Sequence, residues 1–201
     1  MKKIGIIGGS FDPIHIGHIN LALDAKEQCD LDEVIFMPVK LQPFKIDKDM
    51  ADSKSRVEMI RLAIKDYDRL ELSLHEVLKK EISYTYKTLA ELHEIFGEEC
   101  KIYFICGTDS FLSMLKWKEH EKLLTNNSII VGTRPGYKEE AVKKLIKEMV
   151  FRFDTEIIKI DNKQYNISAT EIRERLKNND HISDLVVKDV ERYIKDNGLY
   201  S

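Results

Sequence analysis

Long apolar runs, leader-like segments, proline and cysteine are what this 201-residue sequence has least of. Uninterrupted apolar stretches such as Val34–Met37 stop at about four residues, far short of the ~18 that a membrane-spanning helix needs. Lys2 and Lys3 mimic the basic start of a secretory signal. Ile4–Ile7, however, already contains Gly5 and is followed by Gly8 and Gly9, where a signal would carry an apolar core of roughly 7–15 residues; export is not expected. Three cysteines, Cys29, Cys100 and Cys106, are odd in number and lack CxxC spacing, so neither a disulfide framework nor a zinc site is suggested and a reducing, cytoplasmic setting fits best. Four prolines and nine glycines exclude collagen and low-complexity composition and argue against disorder. Charge of one sign is also missing: 32 Lys and Arg against 35 Asp and Glu leave a net −3 with no long block of either. That balance argues against non-specific binding to nucleic acid or a membrane surface.

What is present is the composition of a soluble globular chain, 43% hydrophobic and 33% charged. At roughly 100–200 residues per domain the chain reads as one domain, 1–201, long enough to bury roughly 70% of its unfolded surface. Short apolar, β-branched runs at Lys3–Gly8, Glu33–Pro38, Leu70–Leu74, Lys101–Cys106, Ser128–Gly132 and Glu156–Ile160 predict strands. Between them, helical spacing is found over Gly17–Gln28, Ser53–Lys65, Tyr86–Phe96, Phe111–Leu124 and Lys138–Glu148. This alternation predicts an α/β fold, Rossmann-like, with a mainly parallel sheet and flanking helices over about residues 1–160. A small helical C-terminal extension follows over about 161–201. Ser168 stands three residues before Glu171, a capping-box spacing that predicts a helix from about Ala169. A second helix is expected from about Ser183 to Asn197, closed by Gly198. Lys40–Asp52 is the one long polar loop, and loops of that length are often functional.

The chemistry concentrates at Gly8-Gly9-Ser10-Phe11-Asp12-Pro13-Ile14-His15-Ile16-Gly17-His18, directly after the first strand. Glycines at a strand end let backbone N–H groups approach a ligand, and the following helix offers free N–H groups and a positive dipole end, which together make an anion site. No Gly-Lys-Ser/Thr follows, so this is not a Walker loop, and the glycines do not make GxGxxG. His15 and His18, three apart, project to one side if a helix begins near them. Loop glycines also serve as plain turn formers, and two histidines also suit a metal. Without a third ligand at recognisable spacing, they read better as donors to phosphate oxygens.

His15-Ile16-Gly17-His18 resembles the (T/H)xGH signature of the nucleotidylyltransferases. Ile167-Ser168-Ala169-Thr170-Glu171-Ile172-Arg173 is similar to that family's second, ISxTxxR-type signature. By itself the second segment is also a capped surface helix; the two in family order at opposite ends of the chain carry the resemblance. The middle of the chain resembles the bacterial nicotinate mononucleotide adenylyltransferase family at Pro38–Lys45, Arg56-Val57-Glu58-Met59, Ser83-Tyr84-Thr85, Gly107-Thr108-Asp109-Ser110, Trp117 and Arg134-Pro135-Gly136.

The resemblance implies transfer of AMP from ATP to nicotinate mononucleotide, giving nicotinate adenine dinucleotide and pyrophosphate, with Mg²⁺ held mainly by the phosphates. It implies catalytic roles for His15, His18, Lys45 and Arg173. ATP is expected at Gly8, Gly9, Ser10, Phe11, Gly17, Gly107, Asp109, Ile167, Ser168 and Thr170, and the nicotinate mononucleotide at Thr85, Trp117 and Arg134. Where the family commonly has Pro-Pro-His-Lys, this chain has Gln42-Pro43-Phe44-Lys45; Phe44 has no hydrogen to donate, so a histidine's role there does not transfer. Transfer to phosphopantetheine or nicotinamide mononucleotide, cytidylyl transfer from CTP, and a non-catalytic nucleotide sensor are the rival readings. Homo-oligomer formation stays open.

Overall fold

The structure, a computed structural model, describes residues 1–40, 50–79, 82–133, 138–162 and 167–200. Six strands, β1 (Lys2–Gly9), β2 (Glu33–Pro38), β3 (Leu70–Leu72), β4 (Cys100–Gly107), β5 (Ser128–Thr133) and β6 (Ile157–Asp161), form one parallel sheet in the order β3-β2-β1-β4-β5-β6. The Rossmann-like fold read from the alternating pattern is therefore the one observed. The strand order reverses between β1 and β4. In open parallel sheets that reversal leaves a crevice at the carboxyl ends of the strands, where ligands bind.

Side chains of a strand alternate between the two faces of its sheet, and β1 does so here. Ile4 and Ile6 join Ile35, Phe104 and Ile129 in one buried cluster; Ile7 joins Phe36, Ile105 and Ile130 in the other. The first cluster is covered by α3 (Thr85–Phe96), α4 (Thr108–Ser113), α5 (His120–Asn126) and α6 (Glu139–Phe153), which contribute Leu89, Phe111, Leu123 and Met149. The second is covered by α1 (Ile16–Gln28), α2 (Ser53–Ile64), α7 (Ala169–Lys177) and α8 (Lys188–Asp196), through Ala22, Ile60, Ile172 and Ile194. Each such aliphatic or aromatic side chain removed from water stabilises by roughly 1.5–3 kcal/mol. The C-terminal helices thus share a core with the sheet, which fixes α7 beside the ends of β1. Gly132 on β5 lets α1 lie close, since a Cβ there would stand 2.2 Å from Leu21 Cδ1.

Several element boundaries differ from the sequence reading. The helix expected over Phe111–Leu124 is α4, a 3-10 turn at Met114–Lys116 and α5. Trp117 leaves the helical path with ψ 150, its indole Nε1–H donating to Ser113 Oγ at 3.2 Å and its ring meeting Phe104 edge-on at 6.0 Å. Packing of one large side chain overrides the helical periodicity here. The helix expected to stop at Glu148 runs on to Phe153, because Met149 continues its buried face. The last helix starts at Lys188 rather than near Ser183, since residues 183–185 form a turn in which the Leu185 carbonyl accepts the Ile16 N–H at 2.9 Å. Gly198, with φ +57, closes it as expected: its N–H reaches the Lys195 carbonyl and the Leu199 N–H reaches that of Ile194. Among the described residues no helix is long and apolar enough to cross a membrane.

Candidate active site

The loop after β1 turns into α1 at His15, the N-cap, whose extended backbone (φ −140, ψ 168) precedes the first helical residue. His15 and His18 lie one turn apart, and their rings stack with centroids 3.7 Å apart and planes 24° from parallel. The His15 backbone N–H donates to His18 Nδ1 at 3.3 Å. An imidazole nitrogen that accepts cannot carry a proton, so the neutral ring holds its hydrogen on Nε2. Burial, and behind it the neighbouring His15, holds His18 well below the usual histidine range. At neutral pH His18 is an uncharged donor of fixed tautomer. Gly17 belongs to this arrangement: a Cβ on it would sit 3.0 Å from His15 Nδ1, so any larger residue would press on the ring stack.

Beneath the histidines lies a polar support to whose residues the sequence reading gave no role. Arg56 of α2 is completely buried, and its guanidinium donates to the carbonyls of Ser10 at 2.6 Å and Ala51 at 3.2 Å and to Ser53 Oγ at 3.2 Å. Asp12, also buried, accepts the Ala51 N–H at 3.0 Å and the Tyr200 hydroxyl at 2.6 Å on Oδ1. Arg173 of α7 donates to the Asp12 carbonyl at 2.7 Å and places its guanidinium 3.6 Å from the Asp12 carboxylate. The loop is thereby tied to the extreme C-terminus and to α2. The sequence did carry a signal for Arg56: it occupies the same helical phase as Met59, Ile60 and Ala63, all buried, and a charge at a core phase needs partners. Asp12 stood inside the quoted motif, but nothing in sequence order connects it to Tyr200.

At the far wall, Ser168 caps α7, its Oγ accepting the Glu171 N–H at 3.1 Å, while the Glu171 carboxylate pairs with Arg175 at 2.7 Å. Two helix N-termini, those of α1 and α7, therefore border the same space, each presenting a positive dipole end. That space is a cavity of 380 Å³ lined by Gly8, Gly9, Ser10, Phe11, His15, Gly17, His18, Gly107, Asp109, Ile167, Ser168, Thr170 and Arg173. Asp109 at its edge pairs with Lys138 at 2.9 Å. A second cavity of 310 Å³ opens beside it, lined by Thr85, Tyr84, Ser83, Glu76 and Lys118. Gly8, Gly9, Phe104, Ser110 and Trp117 line both. Together they make a continuous cleft with an anion-binding end and an aromatic end, placed at the strand-order reversal. Of the residues singled out from sequence, Lys45, Phe44 and Arg134 lie outside the described residues.

The cytidylyltransferase-like family profile matches residues 6–175 of this chain. A Clostridium botulinum protein named "probable nicotinate-nucleotide adenylyltransferase" is 37% identical over all of this chain and 98% of its own length. One of the same name from Clostridium perfringens is 41% identical over 88% of this chain and 87% of its own. The solved structure of Plasmodium falciparum nicotinic acid mononucleotide adenylyltransferase complexed with NaAD superposes with a TM-score of 0.80, at 24% identity, covering 100% of this chain and 98% of that one. At that identity the likeness speaks for the fold.

Proposed function

This chain belongs to the cytidylyltransferase-like family, alongside proteins named nicotinate-nucleotide adenylyltransferase, and on that premise we propose that its cleft transfers AMP from ATP to nicotinate mononucleotide. The observation that carries this reading is the shared wall of Gly8, Gly9, Phe104, Ser110 and Trp117, which joins a phosphate-sized donor set to a pocket fit for an aromatic ring.

A phosphate oxygen of the mononucleotide forms a bond to the α-phosphorus of ATP as the bond to the β-bridging oxygen breaks. The electron pair leaves with pyrophosphate, and nicotinate adenine dinucleotide remains. No protein nucleophile takes part, so catalysis consists of positioning and of donors aimed at growing charge. The His18 Nε2–H and His15, with the helix ends beside Gly8, Gly9, Ser10, Phe11 and Gly17, face the phosphates. Arg173 and Lys45 supply cationic charge. Gly107, Asp109, Ile167, Ser168 and Thr170 hold the nucleotide, and Thr85, Trp117 and Arg134 the pyridine nucleotide, with the indole as a stacking face.

Carried on the ATP phosphates, Mg²⁺ would supply neutralisation of phosphate charge. Among the described residues no cluster of three or more His, Cys, Asp or Glu could hold it, and the Asp12 carboxylate is engaged by Ala51, Tyr200 and Arg173. The donor set thus fits an ion carried on substrate phosphates rather than a protein cage. We place the enzyme in the cytoplasm, as one nucleotidylyltransferase domain spanning 1–201.

The reading is tested by incubating the chain with ATP, Mg²⁺ and nicotinate mononucleotide. Equimolar nicotinate adenine dinucleotide and pyrophosphate, identified by mass and dependent on both substrates, are expected. Hydrolysis of ATP without the dinucleotide would overturn it.

A further inference from the structure

Past α8 the chain turns back on that helix, the Leu199 N–H donating to the Ile194 carbonyl at 3.0 Å. The turn passes through positive φ at Gly198 (+57) and again at Tyr200 (+67). Glycine adopts that region freely, but a bulky side chain is held there only where its surroundings fix it. Two contacts do so. Tyr200 packs against the buried cluster that holds Ile172 and Ile194, and its hydroxyl donates to Asp12 Oδ1 at 2.6 Å.

Asp12 Oδ1 accepts the Ala51 N–H as well, at 3.0 Å. Two donors on one oxygen fix the turn of the buried carboxylate. Its Oδ2 then lies 3.6 Å from Arg173 Nη1, beyond the roughly 2.7–2.9 Å of a closed charge-assisted bond. Arg173 Nη1 donates to the Asp12 carbonyl at 2.7 Å, and the residue lines the 380 Å³ cavity. Arg56, the other cation whose charge reaches Tyr200, is engaged by the Ser10 and Ala51 carbonyls and by Ser53. Arg173 is therefore the cation that a less satisfied Asp12 would draw in.

We propose that Tyr200 is a positioning residue for the transfer: by occupying the Asp12 carboxylate it keeps Arg173 from closing a salt bridge there and so holds the guanidinium for the ATP phosphates. A buried carboxylate that loses one donor needs another. Without the hydroxyl, Asp12 pulls Arg173 inward, and its charge is neutralised within the protein instead of at the phosphates. The pyridine end is spared, because Thr85 lines the other cavity. This role presupposes the proposed adenylyl transfer, in which Arg173 faces ATP, and adds to it the group that holds the guanidinium in place.

The test is Tyr200→Phe, which removes one oxygen and keeps the ring, made alone and combined with Arg173→Ala. Calorimetry measures binding of the α,β-methylene analogue of ATP, and pyrophosphate release gives KM for each substrate. Tyr200→Phe should weaken analogue binding about 5-fold or more, the scale of one hydrogen bond to a charged group, and raise the ATP KM alike, with the nicotinate mononucleotide KM staying within about twofold. In the Arg173→Ala background the same change should leave analogue binding almost unaltered, since no guanidinium remains to be misplaced. Equal losses in both backgrounds, or a lowered thermal midpoint with unchanged analogue binding, would show a merely structural tyrosine and overturn the proposal. A wild type that binds the analogue yet forms no dinucleotide would instead overturn the adenylyl-transfer reading, with the Tyr200 comparison still decided by binding.

Discussion

The His15 backbone N–H and the His18 Nδ1 lie 3.3 Å apart, and that single bond sets which nitrogen of His18 meets the substrate. Because Nδ1 accepts, Nε2 donates, and the ring does so without a charge of its own. His18→Ala should lower turnover by roughly 10²–10³-fold, the usual loss for one preorganised donor to developing charge. Circular dichroism should be unchanged. His18→Asn should regain part of the activity, since it returns one N–H.

The same burial carries a stability signature. His18 is held below its unfolded value of about 6.5, so the unfolded chain takes up a proton that the folded chain refuses. The stability is therefore fully present above about pH 6.5 and is lost as the pH falls below it. Urea midpoints measured at pH 7.5 and 5 should converge in His18→Gln relative to wild type. An identical pH slope in both proteins would contradict the burial of a neutral ring.

Gly17→Ala separates folding from function. Alanine favours an α-helix over glycine by about 1 kcal/mol, so the thermal midpoint should hold or rise. The new Cβ would stand 3.0 Å from His15 Nδ1 and displace the ring stack, so kcat/KM should fall by about 10-fold or more, the scale of a small misplacement of catalytic groups.

Tyr200 lies next to the last residue of the chain, yet its hydroxyl bonds the Asp12 carboxylate at 2.6 Å. Burial first, and the Asp12 bond second, hold its phenol far above the usual tyrosine range. In the unfolded chain it ionises near pH 10, as an ordinary tyrosine does. Its contribution is therefore complete below about pH 10 and drains away as the pH rises beyond that. Between pH 9 and 11 the wild type should lose more stability than Tyr200→Phe, read as the shift in denaturant midpoint. Arg56→Met should act more severely, costing about 3 kcal/mol or more at pH 7, because the Ser10 and Ala51 carbonyls lose a buried charged donor.

Lys45 and Phe44 order a pair of substitutions. Loss of one charge-assisted bond of about 1.5–3 kcal/mol should make Lys45→Ala use ATP about 10-fold less well or worse. Phe44→His should change ATP use little. Steady-state kinetics with ATP varied decides, and the reverse order would show that the missing histidine is a deficit.

The parts of the site nearest in sequence were legible before any coordinates. Alternating apolar strands, the glycines after β1, the His15–His18 spacing and the Ser168 cap are all local patterns, and each sits where its periodicity puts it. The break at Trp117 was not, because it follows from contacts with Ser113 and Phe104 rather than from the order of residues. The bonds joining Asp12, Arg56 and Tyr200 to the loop were not legible for the same reason: they span 46 and 188 positions, and only the fold brings the partners together.

The most direct measurement offers one enzyme sample, with ATP and Mg²⁺, four acceptors in parallel: nicotinate mononucleotide, nicotinamide mononucleotide, phosphopantetheine and none. Pyrophosphate release is followed in each. The expected result is fastest release with nicotinate mononucleotide, slower release with the amide, and only background with the remaining two. Release with phosphopantetheine and none with nicotinate mononucleotide would contradict the proposed reaction.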